Sequence, residues 1–233
     1  MPDLSPISVA FLVFPNVTQL DLTGPAQVLS RLGNTTVDLV WKTRDPVPTD
    51  SGFPLLPTKT FGEMGQADIL CVPGGFGTVD VMQDAEALDW VRRMGEGADW
   101  VTSVCTGALV LGAAGLLSGY EATTHWASHE QLAFFGASPT KQRVVLDGNR
   151  LTGGGVTSGI DFALALAARI RGEDHAKFIQ LSIEYDPHPP FDSGTPDKAG
   201  PATLERYWAL VNKAAPGRVD KVREIAKGLG FAP

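Results

Sequence analysis

Cys105, in "WVTSVCTGALVLGAAGLL", is the residue of this chain whose type and setting first suggest chemistry. An apolar strand-like run ends at the sulfur and small residues follow, the pattern of a tight strand-to-helix turn that presents a nucleophile. Backbone N–H groups opening the following helix would face the sulfur and favour a low-pKa thiolate, and Thr106 adds a hydroxyl donor. Cys71 differs: it lies inside the strand run "DILCVPGG" with no helix start beside it, and reads as core. Asp21, in "QLDLTGP", admits two readings, a general acid and base beside the cysteine or an ordinary helix cap. Gly74, Gly75 and Gly77 in "CVPGGFG" allow backbone amides to approach a substrate and complete an oxyanion hole, with Gly75 the candidate contact; a plain turn would also explain them. No Lys follows these glycines and the dinucleotide spacing is absent, so neither a Walker loop nor a Rossmann fingerprint is present. Gly153, Gly154 and Gly155 precede a helix capped by Thr157 or Ser158. His125 and His129 stand four apart in "TTHWASHE" without the acidic partner or cluster a metal site needs, and His188 in "DPHPPF" lacks the acid of a triad ending. No metal and no cofactor is expected.

The elements that must position these residues follow from an alternation of short apolar runs with helical patterns. "ISVAFLVF", "TVDLVWKT", "ADILCVPGG" and "WVTSVC" read as strands. "GPAQVLSRL" reads as a helix with Thr23 and Gly24 at its mouth and Pro25 at its first position, and "DAEALDWVRRMGE" as one opened by a capping Asp84. Val-, Ile- and Leu-rich strands each followed by a helix predict an α/β fold, a doubly wound, mostly parallel sheet sandwiched by helices. Strand-to-helix turns then collect at the carboxyl edge of the sheet, where ligands bind, which brings Asp21, Gly75 and Cys105 to one rim. "EATTHW" continues the pattern, "VVLDGNRLT" is a hairpin signal, and "SGIDFALALAARI" is a helix. The proline-rich stretch 186–201 reads as a loop or arm, followed by a C-terminal helix over 202–228, all within one domain spanning 1–233.

Composition narrows the function classes. A formal net charge of -7 leaves no cationic excess for nucleic acid or anionic membranes. With 43% hydrophobic residues the chain needs no disulfide framework, and two cysteines in apolar segments suit a reducing, cytoplasmic setting. The start carries no basic region ahead of its apolar run and no stretch approaches the length of a membrane span, so a soluble, unprocessed chain is expected.

Taken together, "QLDLTGP", "CVPGG" and "SVCTGALVLGAAGLL" resemble the ThiJ/PfpI superfamily of glutamine amidotransferase-like (flavodoxin-like) cysteine proteins, over roughly residues 7 to 185. With "ATTHWASHE", "LTGGGVTSGIDFALALAA" and "EYDPHPPFDSGTPD" included, the chain is closely similar to the bacterial isocyanide hydratases. That resemblance implies addition of water to a small-molecule isocyanide, giving an N-substituted formamide through a thioimidate on Cys105. It implies Asp21 as proton shuttle, with Thr106 and the amides of Gly75 and Thr106 steadying developing charge. It further implies a homodimer, and a gating role for Gly154 and Val156 through movement of a helix beginning near Val156. Peptidase-like relatives carry histidine after the cysteine, where this chain has Thr106, and deglycase-like ones carry glutamate where this chain has Asp21. Regulators with a similar domain append a helix-turn-helix module for which this chain is too short and too acidic. A redox-sensing or ligand-binding protein with an oxidisable Cys105 remains the alternative.

Overall fold

The computed structural model describes residues 4–232. Its strands are β1 (Ile7–Leu12), β2 (Thr35–Trp41), β3 (Val47–Pro48), β4 (Pro54–Leu55), β5 (Lys59–Thr60), β6 (Ile69–Val72), β7 (Trp100–Val104), β8 (Glu121–Ala122), β9 (Ser138–Pro139), β10 (Val144–Asp147) and β11 (Arg150–Gly153). Its helices are α1 (Gln19–Leu29), α2 (Thr78–Gln83), α3 (Ala85–Gly97), α4 (Gly107–Ala113), α5 (Ser158–Arg171), α6 (Glu173–Ser182), α7 (Pro196–Ala199), α8 (Pro201–Ala214) and α9 (Arg218–Gly228), with a 3-10 helix over Trp126–Phe135. Seven strands form one sheet in the order β10-β11-β7-β6-β1-β2-β5. All neighbours run parallel except the β10–β11 hairpin, in which Asp147 pairs with Arg150 around the Gly148-Asn149 turn. The doubly wound, mostly parallel sheet expected from the strand–helix alternation is therefore present.

The chain leaves β1 toward β2 on one side and later returns on the other to lay down β6, β7 and β11. The order thus reverses between β1 and β6, and the crevice at their carboxyl ends is the switch point where such sheets accept ligands. Strands β1 and β6 at that point are almost wholly buried, since helices cover both faces and leave no polar alternation. Helix α5 packs on α1 and on α6, and α4 and α9 pack on the 3-10 helix.

Three local readings are corrected. Helix α1 begins at Gln19, so Asp21 lies in its first turn and Pro25 lies inside it, not at its start. The early start is held from outside: Asp50 accepts from the Thr18 hydroxyl at 2.8 Å and from the Gln19 amide at 3.3 Å, supplying a cap that Thr18 does not. The Pro25 ring packs against Gly159 of α5, where an added Cβ would meet it at 2.9 Å. Second, the region 202–228 is two helices. Pro216 cannot donate to the preceding turn, Ala215 before it leaves the helical region at φ -141° and ψ 69°, and Gly217 adopts φ 67°, so α8 ends and α9 starts as a separate helix. The stretch 186–201 likewise contains the single turn α7. Third, the helix after the Gly153–Gly155 turn begins at Ser158, close to Val156 and with Thr157 at its N-cap position, but the Thr157 side chain accepts no capping N–H: its hydroxyl accepts from Arg143 instead.

Candidate functional site

Cys105 occupies the β7–α4 turn with φ 54°, the left-handed conformation that costs a residue with a side chain about 1–2 kcal/mol. Surrounding bonds impose it. The Cys105 amide donates to the carbonyls of Gly153 (3.0 Å) and Gly154 (2.7 Å), and its own carbonyl accepts from the Thr124 hydroxyl at 2.6 Å. Helix α4 can start immediately afterwards because Gly107 lies against the β6 end, where a side chain would strike the Val72 carbonyl.

Asp21 is fully buried. Its Oδ2 accepts from the Gly74 amide at 2.9 Å, while Oδ1 has no hydrogen-bond partner and the neighbouring polar group is the Cys105 thiol. Burial pushes the carboxyl up to about 7, opposed by the Gly74 amide and the thiol. The thiol itself is pushed up, by its own burial first and by the Asp21 charge second, against the pull of the Thr106 amide. This corrects the expectation of a low-pKa thiolate: the helix-start amide is in place, but desolvation and the adjacent carboxylate outweigh it. The resting pair is a thiol beside a carboxyl poised near neutrality. Cys71, buried in β6, is pushed up to about 12 by burial and has no such partner at a turn.

The glycines after β6 serve the two catalytic candidates in turn. Gly74 holds Asp21, and the Gly75 amide donates to Thr106 Oγ1 at 3.0 Å, with Gly75 at φ 133°. The Gly75 N–H is therefore spent on Thr106, which corrects its expected role as a free oxyanion donor. The Thr106 hydroxyl also lies 3.4 Å from the Thr78 hydroxyl, which donates to the Gly75 carbonyl at 2.9 Å.

A cavity of about 350 Å³ opens over Cys105 and Thr106, and its wall includes Gly75, Val156 and His125. Of the gating candidates, Val156 thus faces the cavity, while Gly154 acts through its carbonyl on the Cys105 amide. His125 and His129 are not a pair: the former opens the 3-10 helix, its Nδ1 accepting from the Ala127 amide, and burial lowers it to about 4. His129 is buried with both ring nitrogens unpartnered, and among the described residues no group of three His, Cys, Asp or Glu side chains converges as metal ligands. His188 lies exposed on the arm.

Sequence reasoning missed the opposite wall. Tyr207 and Trp208 of α8, with Arg218 at the start of α9, close the cavity. Tyr207 packs against Trp126 (ring centroids 4.6 Å) and over His125 (6.2 Å). The aromatic pair in "RYWAL" was the available signal, but nothing in its spacing reports that a helix a hundred residues downstream returns to the Cys105 turn.

The model of the DJ-1/PfpI family matches residues 7–169, well over half of the chain. The chain belongs to the DJ-1/PfpI family. Within the family it is 54% identical over 199 residues to an isonitrile hydratase of Pseudomonas putida, spanning 85% of this chain and 87% of that protein. The crystal structure of a ThiJ/PfpI family protein from Pseudomonas syringae superposes with a TM-score of 0.90 at 41% identity, covering 99% of this chain and 93% of that one. DJ-1beta of Drosophila melanogaster shares the fold, with a TM-score of 0.72 at 21% identity over 78% of this chain and all of that one. The first two alignments reach beyond residue 169, so the DJ-1/PfpI core and the segments that follow it recur together.

Proposed function

We propose that this DJ-1/PfpI protein is an isocyanide hydratase, converting R–NC and water into the formamide R–NH–CHO. The observation that carries the reading is the buried Asp21 carboxyl, poised near pH 7 with a free oxygen beside the Cys105 thiol. The likeness to the Pseudomonas putida isonitrile hydratase supports it.

The steps follow from that pair. The sulfur lone pair attacks the terminal isocyanide carbon while the S–H proton passes to the Asp21 carboxylate. Asp21 delivers the same proton to that carbon, leaving the thioimidate R–N=CH–S on Cys105 and a carboxylate again. Asp21 next takes a proton from water as the C–O bond forms and returns it to nitrogen, which has received the C=N electron pair. The resulting R–NH–CH(OH)–S collapses: the C–S bond breaks with its electrons on sulfur, and Asp21 relays the hydroxyl proton to the thiolate. Thr106, locked by the Gly75 amide, aims its hydroxyl and backbone N–H at the sulfur side of the cavity, and the Thr106 amide favours charge on sulfur at the moment it appears. Val156 and the Gly154 carbonyl gate the site, the first by filling the cavity wall and the second by holding the Cys105 turn.

A redox sensor is less favoured, because burial and the Asp21 charge push the Cys105 thiol up, away from the thiolate form that oxidation requires. Purified protein is expected to convert an aryl isocyanide to its formamide, followed by NMR; turnover no higher than that of Cys105→Ala removes the reading. The proposal includes a homodimer, supported by exposed Phe178, Leu181 and Phe191 on α6 and the arm, which light scattering checks. It also includes a cytoplasmic location without nucleic-acid partners, in keeping with two free thiols and a net charge of -7.

A further inference from the structure

We propose that the cavity is built for an isocyanide bearing a carboxylate, and that Arg218 is the residue that selects it. This rests on the hydratase reading for the reaction and on independent geometry for the anion. Arg218 lines the cavity that holds Cys105. Its Nη2 donates to the Thr78 hydroxyl at 3.1 Å and its guanidinium lies 5.9 Å from the Phe76 ring, but its Nε is buried with no partner. Among the described residues no carboxylate comes within ion-pair distance of it. The acidic residue of the same wall, Asp220, is taken by Arg223 at 2.7 Å. His125 is neutral, so Arg218 supplies the positive charge of this cavity.

A guanidinium partly withdrawn from water without a counter-ion is costly, and its planar fork matches a carboxylate through two parallel N–H bonds. Beside apolar side chains such as Phe76, Val156 and Trp208 the wall carries the neutral polar groups of Thr18, Ser128, Gln131 and Asn212, so that with Asp220 held by Arg223 the arginine is the charged anchor left for a ligand. In a chain of net charge -7 an anionic substrate gains nothing from the overall field, so a local cation must recruit it. The distance is short: Arg218 touches Thr78, Thr78 lies 3.4 Å from Thr106, and Thr106 follows Cys105. A carboxylate close to the isocyanide nitrogen, as in isocyanoacetate, would bridge these neighbours.

Two readouts separate this proposal from the hydratase reading. In calorimetry, N-formylglycine, the product of isocyanoacetate hydration, is expected to bind the wild-type protein at least tenfold more tightly than its methyl ester. Arg218→Met is expected to erase that preference and Arg218→Lys to keep part of it. In NMR turnover, isocyanoacetate is expected to exceed methyl isocyanoacetate in kcat/KM by a similar factor, chiefly through KM. Equal binding of acid and ester to the wild type overturns the anion site, a result that needs no variant to fold; so does an acid preference that survives in a folded Arg218→Met. Acid-selective binding lost in Arg218→Met, with neither isocyanide hydrated, upholds the anion site and removes the hydratase. Equal hydration of both substrates removes the anion site and keeps the hydratase.

Discussion

Asp21 carries an electrostatic cost in the site, and it does so where the chemistry needs a proton. Its carboxyl rises from 3.8 to about 7, so the native state holds a proton that the unfolded chain releases above about pH 4. The sign follows: below about pH 4 both states are protonated and nothing is lost, while between about 4 and 7 the native state grows less stable as pH rises. Above about 7 the full cost stands, about 4 kcal/mol for roughly three units. Asp21→Asn keeps an acceptor for the Gly74 amide and removes the charge, so it is expected to stabilise the fold at pH 8 by up to ~4 kcal/mol and hardly at all at pH 4. Denaturant melts at the two pH values measure this, and equal effects at both would place the charge elsewhere. The same variant loses all three proton relays, so kcat/KM should fall about 10²–10⁴-fold, with wild-type-like turnover removing Asp21 from the mechanism. In the unsubstituted protein the acid limb of kcat/KM is expected near pH 7, because attack requires the carboxylate form of Asp21. At this scale the sequence already indicated Cys105, Asp21 and Thr106. It could not indicate which of them holds the proton, since that depends on burial created by elements far away.

The β6–α2 turn and the β7–α4 turn are fitted into each other more tightly than either motif suggests alone. A Cβ on Gly74 would sit 2.6 Å from the Thr106 nitrogen and 2.8 Å from both Asp21 Oδ2 and Thr106 Oγ1. None of these neighbours is the tip of a flexible chain, so Gly74→Ala must push the start of α4 away from the end of β6. The expected result is a loss of about 10²-fold in kcat/KM, from misplacement of the thiol relative to Asp21, with about 1–3 kcal/mol of destabilisation. Activity retained at the wild-type level would mean the two turns can separate without cost. Element order was legible because apolar strands alternate with helical patterns, and chain order placed the turns at one rim. Element ends were less so: α1 starts early because Asp50, thirty residues on, caps it, and α8 stops at Pro216, where the helical pattern alone runs through. The duty of Gly75 is hidden from the sequence for a similar reason, its N–H being claimed by a hydroxyl from another turn.

Across the whole molecule, the site is closed by the last helices, and its electrostatics depend on that closure. Val222, Ile225 and Ala226 bury the inner face of α9, which packs on α2 and the 3-10 helix and thereby fixes Arg218 over the cavity. Nothing local in "RVDKVREIAKG" reports this; the amphipathic pattern shows that a face is buried but not against what. If the docked helices are what keep water from Asp21 and the thiol, then undocking them should change protonation and access together. Val222→Asp places an unpaired charge on that buried face and is expected to release α9, visible as faster amide exchange confined to the C-terminal segment. Alkylation of Cys105 by iodoacetamide should then accelerate, because the thiol becomes accessible and its solvated anion less costly. The acid limb of any remaining activity should move from about 7 toward ordinary carboxyl values as water reaches Asp21. Released amides at α9 with unchanged alkylation and an unchanged limb would show that the sheet edge alone sets the proton balance, and that α8 and α9 govern only which ligand enters.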